Sequence, residues 1–98
     1  MERTVEEIIL QRRLQMIVHS YIYYELNENI VSDAVWGRWA HELVALQKQY
    51  PEASKKVKFY ELFKDFQGDT GFDLAKSADK RAISKAHYLL SIRRKRKG

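Results

Sequence analysis

Tyr21-Ile22-Tyr23-Tyr24-Glu25-Leu26-Asn27-Glu28-Asn29-Ile30-Val31-Ser32-Asp33-Ala34-Val35-Trp36 ends one helical pattern and begins another, and its reading decides the fold. Upstream of it, Leu10, Leu14, Ile17, Tyr21 and Tyr24 recur at helical spacing, with Val18 and Ile22 widening the stripe. Thr4-Val5-Glu6-Glu7 reads as a capping box, with Thr4 bonding the backbone and Glu7 reaching back. The spacing predicts a first helix over about residues 4–27. Asn27 and Asn29 suit its exit, because a short amide side chain tolerates left-handed backbone.

Downstream, Ser32 is a good N-cap, and Asp33 puts negative charge where the helix dipole favours it. Trp36, Trp39, Ala40, Leu43, Leu46 and Tyr50 then form one apolar face, while Arg38, His41, Glu42, Ala45 and Lys48 fall mainly opposite. Pro51, the only proline, is expected to close this second helix, over about residues 33–49. The connection from about Glu28 to Ser32 is short, so the two helices should form an antiparallel hairpin.

Beyond the hairpin, Phe59, Leu62, Phe63 and Phe66 cluster at helical spacing, predicting a short helix over about residues 55–66. It should stop at Gly68, which opens the turn Gly68-Asp69-Thr70-Gly71. A last helix is expected over about residues 79–95, capped by Asp79 or Ser77, with Ile83, Ala86, Leu89 and Leu90 inward. No stretch alternates apolar and polar residues in the manner of a strand. The expectation is an all-α single domain over residues 1–98, made of a hairpin (1–52) and a helical extension with a basic tail (53–98).

A chain of 98 residues, 45% hydrophobic and 32% charged, can bury one modest core. No apolar run approaches the ~20 residues that cross a bilayer, so no membrane role is expected. Early acids in MERTVEE speak against a secretory signal, and the absence of cysteine removes disulfide and thiolate chemistry. The expected setting is the cytoplasm. The net charge of +5 is unevenly placed: residues 80–98 carry eight Lys/Arg and no acid, while residues 1–79 carry ten against thirteen Asp/Glu. Phosphates or acidic partners are the natural targets of such a tail.

Catalytic and metal-binding patterns are absent. His19, His41 and His87 show no paired ligand spacing. Asp65, Asp69 and Asp73 fall four apart rather than two, and the twelfth position from Asp65 is Lys76, which a calcium hand cannot use. No nucleophile elbow and no glycine-rich phosphate loop occur. The residues point to a binding role rather than catalysis.

One stretch resembles a known family. Tyr21-Ile22-Tyr23-Tyr24, then Ile30-Val31-Ser32-Asp33-Ala34, Trp36, Leu43, Leu46 and Tyr50-Pro51 are similar in order and spacing to the small N-terminal helical domain of bacterial NAD-dependent DNA ligases. The similarity covers about residues 12–52. It implies a helical hairpin that closes over the nicotinamide mononucleotide half of NAD, so NAD or nicotinamide mononucleotide is the implied ligand. Tyr23 and Tyr24 match the family's aromatic pair, and Asp33 matches the aspartate that faces the nicotinamide group. Trp36 stands where the family has tyrosine, and Gly37 where it has a second aspartate. The ligase's Lys-x-Asp-Gly nucleophile motif has no counterpart, since Lys64-Asp65-Phe66-Gln67 does not match it. The combination resembles small phage or prophage proteins, which implies a bacterial host cell and a host or phage protein as partner.

A packing reading stands beside the ligand reading. Tyr23, Tyr24 and Trp36 sit on or near the apolar stripes, and Asp33 serves equally as a helix N-terminal charge. Separately, Arg93, Arg94, Lys95, Arg96 and Lys97 form a run suited to phosphates, with Lys80, Arg81 and Lys85 extending it and no aromatic residue interleaved. Three functions follow: a ligase-like binding module, an accessory or inhibitor protein docking on a host protein such as a nuclease, and a nonspecific DNA- or RNA-binding protein.

Overall fold

The computed structural model describes residues 4–28, 30–68 and 71–97, the last four of them by backbone alone. Six helices make up the described residues, with no strand among them. They are α1 (Val5–Tyr24), α2 (Asp33–Gln49), α3 (Pro51–Lys56), α4 (Tyr60–Phe63), α5 (Phe72–Lys76) and α6 (Lys80–Lys97). None is long and apolar enough to cross a membrane.

The hairpin forms as its caps dictate. Thr4 Oγ1 accepts from the Glu7 amide at 3.2 Å, and Ser32 Oγ accepts from the Val35 amide at 3.2 Å. Asn27 takes up the left-handed conformation, with φ of 58°, that lets the chain leave α1. Asn29 lies outside the described residues. Contacts between α1 and α2 run in opposite order along the two helices: Arg12 pairs with Glu42 at 2.8 Å, while His19 meets the Trp39 ring at 5.2 Å. The hairpin is antiparallel.

Central helix α1 touches α2, α3, α5 and α6. Its buried stripe differs from the one its leucines outline. Ile9, Arg13, Met16, Ile17, Ser20 and Ile22 are nearly inaccessible, whereas Leu10, Leu14 and Tyr21 are only partly covered. Surrounding α1 on more than one side shifts the inner face onto Ile9-Arg13-Met16-Ser20 and leaves Leu10 and Leu14 beside α6. Tyr24 and Tyr50, placed on apolar stripes by spacing, are 40% and 37% exposed at the ends of α1 and α2. Ala40 and Leu43 of α2, Phe63, Leu74 and the inner face of α6 (Ala82, Ala86, Leu90) complete one continuous core.

The region after α2 departs most from expectation. Pro51 does stop α2, but it also starts α3 as its first residue, where a missing amide hydrogen costs nothing. The single helix expected over residues 55–66 is broken into α3 and α4, with Phe59 left-handed at φ 74°. Arg13 explains the break. Its buried guanidinium donates to the carbonyls of Ser54, Val57 and Lys58, to Ser54 Oγ and to Gln47 Oε1, at 2.7–3.2 Å. All five of its N–H groups are used, and the carbonyls a continuous helix would bond internally are turned toward α1. Burial pushes the guanidinium below its ordinary pKa. Helix α5 is an addition that the turn signal did not foretell. Asp79, not Ser77, caps α6, its Oδ1 accepting from the Ala82 amide at 2.9 Å. The backbone of α6 continues through the basic run to Lys97.

Candidate functional site

A cavity of about 300 Å³ opens where the end of α1 meets the start of α2. Tyr23, Tyr24, Asp33 and Trp36 all line it, as do Ser20 and Gly37. The hairpin geometry brings them together: the exit of α1 and the first turn of α2 lie on opposite sides of one short connection. Residues 68 and 71, from beyond α4, supply a further wall.

The aromatic side chains of this site are differently placed from core aromatics. Tyr23 is 48% exposed and meets the Tyr24 ring edge-on at 4.9 Å. Tyr24 in turn meets Phe72 edge-on at 5.6 Å. Trp36 is half-buried and stands edge-on to Phe66 at 6.5 Å. The packing expectation thus fails for the two tyrosines and holds in part for Trp36. Asp33 is exposed, and because Ser32 supplies the N-cap, its carboxylate is not required for capping.

Three features of the cavity escaped sequence reasoning. Ser20 sits in the core stripe of α1, and its buried Oγ has no hydrogen-bond partner among the described residues. Such a group is costly unless something completes it. A serine at a buried stripe position, one turn before Tyr23, was the available signal. His19 also lines the cavity, and burial lowers its imidazole pKa below the ordinary value, which keeps the ring neutral near pH 7. Gly71 is the third: a methyl group at its Cα would strike the Ser20 side chain, so only glycine lets the backbone approach this closely. Gly37, by contrast, faces open space, with nothing within 4 Å of an added methyl group.

Among the described residues, no lysine or arginine lines the cavity, while Asp33 and Glu28 do. Such a lining favours an uncharged or cationic planar group over a phosphate. The other two histidines are not lining residues: His41 is exposed on α2 with its ring against Gly68, and His87 is exposed on α6 with its ring edge-on to Tyr21 at 6.5 Å. Of the predicted basic run, Arg93 is half-buried, and the side chains of residues 94–97 lie outside the description.

Comparison with known proteins points to the same half of the chain. Over 51 residues, or 52% of its length, the chain is 37% identical to the DNA ligase of Carboxydothermus hydrogenoformans. That match spans only 8% of the ligase. No solved structure matches. Residues 2–56, more than half of the chain, match the family described as the DNA ligase-like, N-terminal NAD+-binding domain, and the chain belongs to that family.

Proposed function

We propose that this chain is a non-catalytic binding module whose cavity takes the nicotinamide end of a nicotinamide nucleotide. The observation that carries the reading is the convergence of Tyr23, Tyr24, Asp33 and Trp36 on one cavity, within the segment 2–56 that matches the NAD+-binding family. The residues present fit such a group. An oxidised nicotinamide ring is planar and cationic, and an aromatic surround with a carboxylate, lined by no lysine or arginine among the described residues, suits it. The buried Ser20 Oγ, without a partner among the described residues, adds a polar group to the wall of the cavity. At about 300 Å³ the cavity lies at the small end of ligand sites, adequate for a ring and its sugar rather than a whole dinucleotide. Tryptophan at position 36 keeps the stacking surface of an aromatic ring while offering a donor only.

Ligation itself is not carried over, since the shared residues are 8% of the ligase's length. Thermal melting with oxidised nicotinamide mononucleotide tests the proposal. A native-state ligand raises the melting temperature by mass action, by the equivalent of ~2.7 kcal/mol at a hundredfold excess over Kd. The Asp33→Asn variant should keep its fold, because Ser32 caps α2, and should lose most of that rise. No rise with either the mononucleotide or NAD+ would overturn the proposal.

A further inference from the structure

Helix α6 has one face that its fold does not use. Ala82, Ala86 and Leu90 turn inward and are buried. On the opposite side Arg81, Ser84, Lys85, Tyr88 and Ser91 follow at intervals of three and four, so they line one stripe along the helix, and all are exposed. From Arg81 to Ser91 the stripe runs about 15 Å along the helix. Tyr88 is 58% exposed, with Lys85 Nζ 5.4 Å from its ring centroid. No carboxylate follows Asp79 in the sequence, and the ion pairs among the described residues leave α6 untouched. The helix therefore presents an aromatic ring beside two cations on one face, a juxtaposition that the helix phase makes visible.

We propose that this face of α6 binds single-stranded nucleic acid, with Arg81 and Lys85 on phosphates and a base stacked on Tyr88. Cations alone would serve any polyanion. The exposed ring beside them is what favours a single strand, whose bases are free to stack, over a duplex, whose bases are not. An acidic protein would satisfy the cations and leave the ring without a partner of its own kind. The stripe is independent of the nicotinamide cavity, whose lining among the described residues includes none from α6.

The test is fluorescence anisotropy of labelled oligo(dT) and a duplex of equal length, with the whole chain, at two salt concentrations. Oligo(dT) should bind more tightly than the duplex. Tyr88→Ala should weaken oligo(dT) binding about fivefold or more, the lower end of base–aromatic stacking, with little change on the duplex. The double variant Arg81→Ala, Lys85→Ala should flatten the log–log salt dependence on oligo(dT) by about 1.4, for two lost phosphate contacts. Far-UV circular dichroism should show all variants folded, since the three side chains are exposed. Equal or tighter duplex binding, indifference to Tyr88→Ala, or equally effective competition by polyglutamate would each overturn the proposal. The last result would assign the face to an acidic protein.

Discussion

Gly71 abuts Ser20 so closely that a methyl group at Gly71 would collide with the serine side chain and stand 3.0 Å from the Trp36 ring. The second half of the chain is thereby seated on the first at the cavity itself. The same contact leaves Ser20 Oγ buried and unpaired among the described residues. One close approach of backbone to side chain both closes a wall of the site and shapes its polar floor.

Gly71→Ala should therefore destabilise the fold by about 1–3 kcal/mol, the cost of forcing extra atoms into a packed place. Gly37→Ala should do the opposite. It sits in the first turns of α2 with open space around it, so alanine should stabilise by roughly 0.5–1 kcal/mol through helix propensity alone. Urea denaturation of the two variants reads the difference directly. Equal effects would show that the wall formed by Gly71 is loosely held.

Arg13 offers a second test. Its five hydrogen bonds tie α1 to Gln47, to the Ser54 hydroxyl and to the Ser54, Val57 and Lys58 carbonyls. Arg13→Met should cost about 3–5 kcal/mol, because buried carbonyls lose their donors even as the cation's own burial cost is relieved. Arg13→Lys should recover little, since an ammonium cannot reproduce the planar fork. Thermal melting of the three forms checks both statements, and a lysine variant as stable as the parent would contradict the second.

What sequence reasoning could and could not see follows from these two contacts. The hairpin was legible because its signals are local: Thr4, Asn27 and Ser32 cap or release helices through neighbours within three residues. The four candidate residues came from the family resemblance rather than from local spacing, and they line one cavity. The break between α3 and α4 was not legible, because its cause is an arginine more than forty residues upstream in sequence. Nothing in the local spacing of Phe59, Leu62, Phe63 and Phe66 records that. Ser20 and Gly71 were hidden for a similar reason, since a serine on a helix and a glycine in a turn become a site only when packed together.

The imidazole of His19 gives a pH dependence with a definite sign. Burial lowers its folded pKa below the ordinary 6.5, so between those two values the unfolded chain binds more protons than the folded one. Its contribution to stability is complete above the unfolded pKa and is lost as pH falls toward the folded pKa. The melting temperature should therefore decline between about pH 7.5 and 5.5, and His19→Gln should flatten that decline. Parallel pH profiles for the two proteins would place the titration elsewhere.

The central claim, that the cavity at the α1–α2 junction holds a nicotinamide ring, is tested most directly by a two-dimensional NMR titration with oxidised nicotinamide mononucleotide. Saturable shifts should concentrate on Ser20, Tyr23, Tyr24, Asp33, the Trp36 indole N–H and Gly37, and should leave α6 still. Shifts confined to α6, or none up to ~10 mM, where even a millimolar site would be mostly filled, would contradict it.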